Sequence, residues 1–214
     1  MNRFVKIISV LIMVLQTCLL AGQENMKPMN DPGSFSDRLI RASAAVNSIT
    51  SDFTQEKSLS VLNEKILSKG KFAFKKENNI RWEYTEPYRY LIIISNNQMF
   101  MRDDKSRKQI DIQSNPMFRE MNGFITGCIQ GDILRNDNDY SKEYFENEKY
   151  YYVKLVPRSD KVRQMLKEVH IWFNRSDLGV EKLKMVESGN DYTQIMFTGK
   201  ILNPDIPVEK FTFK

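Results

Sequence analysis

The sequence reads as a mainly β protein with a minor α part: an open, curved antiparallel sheet of about 11 strands whose apolar concave face is covered by helices. Three observations predict this. Apolar and charged side chains alternate with period two, most clearly from Gly70 to Met101: Phe72 and Phe74 alternate with Lys71, Ala73 and Lys75, and Ile80, Trp82 and Tyr84 with Arg81, Glu83 and Thr85. That period sends the apolar side chains of a strand to one side of a sheet. The same pattern returns after residue 145 with few helix signals between strands. Between the two sets the period changes to three and four, which predicts a helical segment lying on the apolar face.

The first 22 residues stand apart. Arg3 and Lys6 precede an apolar run from Ile7 to Leu15, and the small residues Ala21 and Gly22 follow. The run is too short for a spanning helix and reads as a secretory signal, with the protein exported. Leu15-Gln16-Thr17-Cys18 is somewhat like a lipobox, with Thr where Gly, Ala or Ser is usual. Two outcomes stay open: cleavage near residue 22, or lipid anchoring at Cys18. Residues 23–33, polar with Pro28, Pro32 and Gly33, read as a flexible leader before a single domain at 34–214.

Ser34 or Ser36 can cap a helix running to about Ile49, with Phe35, Leu39, Ala42, Val46 and Ile49 on one stripe. Strands are expected at 51–59, 64–75, 80–85, 90–95, 98–103 and 108–112, with Asn96-Asn97 as a tight turn because Asn tolerates positive φ. Ser114 to about Asn136 is the helical segment. Phe118, Met121, Ile125, Cys128 and Ile129 fall at helical spacing, and Gly123, Gly127 and Gly131 fall four apart. Each glycine weakens a helix by about 1 kcal/mol relative to Ala. The segment is therefore either a thin-edged helix packed closely on the sheet or a marginal one that moves. Further strands follow at 150–157, 167–174, 179–187, 191–200 and 208–213, with a short helical turn at 160–165.

Composition excludes several classes of function. Once residues 1–22 are removed, Cys128 is the only cysteine, so no internal disulfide can form and the fold rests on its core. Basic and acidic residues are interspersed, as in Glu146-Asn147-Glu148-Lys149, a solvated surface and not a nucleic-acid stripe. His170 is the lone histidine and lies on the face opposite Val169, Ile171 and Phe173. No cysteine–histidine spacing suits zinc, and no phosphate loop or nucleophile elbow occurs. Cys128, on an apolar stripe, reads as a small buried hydrophobe. Nothing points to an enzyme, a metal or a cofactor. What remains is the apolar face, with Phe53, Phe72, Phe74, Trp82, Tyr84, Ile92, Ile94, Phe100 and Met101 as candidates to line it. Nine methionines after residue 22 suit an adaptable apolar surface.

The order of short motifs resembles the LolA family, periplasmic carriers of outer-membrane lipoproteins. Phe53-Thr54-Gln55 follows the first helix, Gly70-Lys71-Phe72 opens a strand, Arg81-Trp82-Glu83-Tyr84 precedes Pro87, Ser95-Asn96-Asn97-Gln98 stands at the family's hairpin, and Phe211-Thr212-Phe213 closes the chain. The match is clear over about residues 47 to 103. The resemblance implies an incomplete antiparallel barrel with helices over its open side. It also implies a monomer that receives acylated lipoproteins from an inner-membrane transporter and delivers them to an outer-membrane acceptor. Acyl chains would bind Phe53, Phe72, Phe74, Trp82, Tyr84, Ile92, Ile94 and Phe100, under a lid containing Phe118, Met121, Gly123, Ile125 and Gly127. The family's lid-holding arginine is best matched by Lys76, followed by Glu77 where the family has proline; lysine keeps the charge without the planar fork. A membrane-anchored lipid- or protein-binding acceptor on the same fold is the alternative.

Overall fold

The computed structural model describes residues 25–61, 64–114, 116–135, 138–189 and 191–213, with the side chains of 116–121 outside the description. The expected signal, its cleavage site and Cys18 lie outside the described residues. The strands are β1 (Lys27–Pro28), β2 (Ser48–Leu59), β3 (Glu64–Lys75), β4 (Asn79–Glu86), β5 (Tyr90–Ser95), β6 (Gln98–Arg102), β7 (Arg107–Asp111), β8 (Tyr140–Glu146), β9 (Tyr150–Pro157), β10 (Leu166–Asn174), β11 (Val180–Glu187) and β12 (Tyr192–Leu202). The helices are α1 (Pro32–Ala44), α2 (Pro116–Gln130) and the short α3 (Asp160–Arg163). All twelve strands form one antiparallel sheet in the order β1-β8-β9-β10-β11-β12-β2-β3-β4-β5-β6-β7. Its outer strands, β1 and β7, do not pair with each other, so the barrel stays open.

Register decides which residues share a face. Phe72 pairs with Trp82 and Phe74 with Ile80 across β3 and β4; Trp82 pairs with Ile92 and Ile80 with Ile94 across β4 and β5. Directly opposed residues point the same way, so these side chains form one continuous apolar surface. The helices cover it. Asp31 caps α1, its carboxylate accepting from the Ser34 N–H at 2.9 Å, and Pro32 occupies the first turn, where a missing N–H costs nothing. Phe35 and Leu39, one turn apart, are driven to 1% and 0% exposure, with the Phe35 ring 4.6 Å from Tyr151 and 5.7 Å from Phe173.

Four readings need correction. The cap is Asp31, not Ser34 or Ser36, and α1 ends at Ala44, because β2 already claims residues 48 onward. The 23–33 segment is tied down from Lys27: Lys27 and Pro28 pair with β8, the Met29 N–H donates to the Tyr144 carbonyl at 3.0 Å, and Met29 is buried. The strand β8 was missed because charges crowd Tyr140–Glu146, yet Tyr140 and Tyr144 pack on the core and Phe145 on the other face against Tyr152. The last segment is not a strand. Pro207, lacking an N–H, leads into a single helical turn at Val208–Phe211. That segment packs on the convex face, where Ile206 and Phe211 bury Ala73, Leu91 and Ile93, and Phe213 stacks on Phe100 at 4.8 Å. The convex cations hold it: Lys75 Nζ donates to the Ile206 carbonyl at 2.7 Å and Arg81 to that of Lys210 at 3.2 Å. The Asn96-Asn97 turn is as expected, with φ of 50° and 61°.

His170 is placed on the convex face with both ring nitrogens engaged, Nδ1 with the Tyr152 hydroxyl at 2.5 Å and Nε2 with Glu168 at 3.1 Å. Burial pulls its pKa below 6.5; Glu168 opposes the shift, and Lys184 and Lys154 add to it. The unfolded chain therefore binds the proton more readily, and the fold loses stability as pH falls from about 6.5 toward the lowered value. His170→Gln should remove that part of the pH dependence in urea unfolding measured between pH 7.5 and 5.5; an unchanged slope would exclude it.

Candidate functional site

Where α1 and α2 cross the concave face they leave a cavity of ≈ 160 Å³, or ≈ 1060 Å³ with its open mouth included. The sheet forms the floor and one wall. Ser51, Phe72 and Trp82 come from β2, β3 and β4; Leu183 and Met185 from β11; Ile195 and Phe197 from β12. Phe124, Ile125, Cys128 and Ile129 close it from α2, and Ala42 from α1. Nearly the whole lining is hydrocarbon or aromatic. Its charged members, Lys200 and Asp177, neutralise each other at 2.9 Å.

Of the residues expected to line the apolar face, Phe72 and Trp82 reach this cavity, and Ile125, expected in the lid, reaches it from α2. Phe53 and Phe74, at 1% and 0% exposure, and Ile94 lie in the packed core beneath. Tyr84 and Ile92 pack against that core without lining the cavity. The Tyr84 hydroxyl donates to Gln55 at 2.9 Å, and burial pushes its pKa up to about 12. Phe100 is a correction: it pairs with Ile93 and faces the convex side, while Met99 and Met101, paired with Ile94 and Ile92, hold the concave one. The side chains of Phe118 and Met121 lie outside the described residues.

The glycines of the expected lid segment sit in different surroundings. Gly123 has open space around it, whereas a Cβ on Gly127 would stand 3.4 Å from the Ile133 nitrogen. Gly131 is not helical: at φ 75° it ends α2 in the left-handed region. Lys76, the latch candidate, reaches α1 instead of α2. Its ammonium donates to the Ala44 carbonyl at 2.7 Å, at the helix end where a cation is favoured. Cys128 is buried, and that burial pushes its thiol well above its ordinary pKa, which disfavours the thiolate.

Sequence reasoning missed the β11–β12 wall. Leu183 with Met185, and Ile195 with Phe197, each stand two apart, a signal that was available. Among the described residues no cluster of three or more His, Cys, Asp or Glu could hold a metal ion, and no helix is long and apolar enough to cross a membrane.

Known proteins of similar sequence share a description. The family profile "Outer membrane lipoprotein carrier protein LolA" matches residues 44–214. An outer-membrane lipoprotein carrier protein of Xanthomonas oryzae is 24% identical over 146 residues, 68% of either chain. One from Xylella fastidiosa is 24% identical over 201 residues, 94% of this chain and 90% of the relative. Among solved structures, a LolA superfamily protein from Nitrosomonas europaea is 14% identical with a TM-score of 0.41, over 83% of this chain and 97% of that one. The Mycobacterium tuberculosis lipoprotein LppX is 9% identical with a TM-score of 0.47, over 84% and 100%. With the profile spanning everything from the end of α1 to the convex-face segment, the chain belongs to the LolA family.

Proposed function

We propose that this protein is a periplasmic, monomeric carrier that shelters lipoprotein acyl chains in the cavity between its helices and its concave sheet. On this reading an inner-membrane transporter loads it and an outer-membrane acceptor unloads it, after the secretory signal is removed near residue 22. It performs no catalysis. The observation that carries the reading is the apolar cavity under α2, in a chain whose relatives are named lipoprotein carriers.

Magnitudes constrain the mechanism. A cavity of ≈ 160 Å³ is on the scale of one that admits a single benzene ring, about 150 Å³. An acyl chain therefore enters only as α2 moves outward. Burying one chain of about 15 methylenes would release about 12 kcal/mol. Three such chains would exceed the roughly 20 kcal/mol at which non-covalent binding saturates. Partial burial and the displacement of α2 bring affinity down to a level from which cargo can leave.

The test is to mix the protein with a triacylated lipoprotein in detergent, remove the detergent, and look for a soluble one-to-one complex by size-exclusion chromatography. The expected result is a complex. Precipitation of the lipoprotein as in the protein's absence, while an established carrier keeps it soluble, would sink the reading.

A further inference from the structure

The cavity is apolar, with two polar atoms left over. Ser51 and Trp82 line its floor at 7% and 9% exposure, and neither Ser51 Oγ nor Trp82 Nε1 meets a hydrogen-bond partner. Ser51 pairs with Phe72, and Phe72 with Trp82, so the two groups share the concave face two strands apart, about 10 Å at the backbone. The Tyr84 hydroxyl feels the indole N–H but lies outside hydrogen-bonding geometry with it, and its own proton goes to Gln55. The Asp177–Lys200 pair satisfies itself. Asn122 Oδ1 and Thr126 Oγ1 on α2 are also unmet, but neither residue lines the cavity. The polar demand of the floor therefore falls on Ser51 and Trp82.

An indole N–H is a donor only, and a hydroxyl can donate or accept. Buried donors are costly without an acceptor, and a saturated hydrocarbon chain offers none. An acyl chain attached through an ester offers a carbonyl oxygen. We propose that the cavity recognises the acyl linkage as well as the chain, with Trp82 Nε1–H and Ser51 Oγ–H donating to ester carbonyl oxygens of the bound lipid. This rests on the carrier reading above and deepens it. It puts the ester within the cavity, not at its mouth, and makes the preferred ligand an ester-linked acyl glycerol over an alkyl chain of equal length.

Two synthetic peptides separate the ideas. One bears a cysteine S-linked to glycerol with two ester-linked palmitoyl chains; the other is its ether-linked hexadecyl analogue, which lacks the carbonyls. Wild-type protein should bind the ester about tenfold more tightly. Trp82→Phe and Ser51→Ala should each cut ester affinity severalfold and lower ether affinity less, so that the ester preference shrinks. Ser51→Ala should also raise the thermal midpoint of the empty protein, because it deletes an unmet buried hydroxyl. That variant keeps the test decisive if Trp82→Phe fails to fold. Equal binding of ester and ether by the wild type, or a Ser51→Ala protein with a lowered midpoint and unaltered preference, overturns the proposal and leaves the carrier reading standing. If neither peptide binds, the carrier reading falls and this proposal with it.

Discussion

Gly70→Ala should destabilise the fold by about 3 kcal/mol or more, an overpacking cost at the upper end of its usual range. The reason is local. A Cβ at this position would stand 2.1 Å from the Glu83 carbonyl oxygen and 2.6 Å from Cζ of Phe53. Phe53 pairs directly with Gly70; its ring lies over the bare backbone, 5.0 Å from Trp82 and 5.1 Å from Tyr84. The strand gives up a side chain so that an aromatic ring from its neighbour can fill the space. The Glu83 carbonyl belongs to the adjacent strand and cannot withdraw without breaking the ladder. Urea unfolding of the variant measures the loss, and a midpoint near that of the wild type would show the ring to be free to move. Gly123→Ala is the contrast: with open space around an exposed helical position, it should gain about 1 kcal/mol. If that gain stiffens α2, lipoprotein uptake should slow.

Met185→Glu should leave the protein folded and lower acyl-peptide affinity by about 100-fold or more, since a carboxylate inside the occupied cavity has no water and the lining cation, Lys200, is already paired with Asp177. Met185 lines the cavity and is only half-buried in the empty protein, so without cargo the carboxylate can stay hydrated. Leu183, its neighbour on the same face, is 7% exposed, and the same change there should cost the fold itself. Met185→Leu, which keeps volume and polarity, should bind within about threefold of the wild type. Isothermal titration with a diacylated peptide reads all three. Wild-type affinity in Met185→Glu would move cargo out of this cavity altogether.

The two-residue period made β2 to β6 legible, since Phe72, Phe74, Ile80 and Trp82 admit no other face, and paired asparagines mark their turn at 96–97. The cavity was less legible than the face. Phe72 and Phe74 are equivalent in sequence, yet one lines a void and the other is sealed, because α1 and α2 decide where the concave surface is plugged. That is a matter of how helices settle on a curved sheet, which a strand pattern does not encode. Phe100 went to the wrong face because Met99, Phe100 and Met101 are all apolar; only the pairing with Ile93 fixes the parity. The convex cluster was invisible for a related reason. Lys75 and Arg81 look like solvent-facing charges, and nothing nearby in sequence says that a segment more than a hundred residues later offers them carbonyl groups.

An unclosed barrel has two free edges, and an exposed edge is a template on which another chain can polymerise. Here both are blunted. β8 is overlaid by residues 27–29, where Pro28 has no N–H to offer an incoming strand. The opposite edge, β7, is five residues long and opens on Arg107 and Lys108, whose like charges repel a second copy. An open barrel with both edges blunted in this way can thus persist at high concentration without pairing edge to edge into fibres.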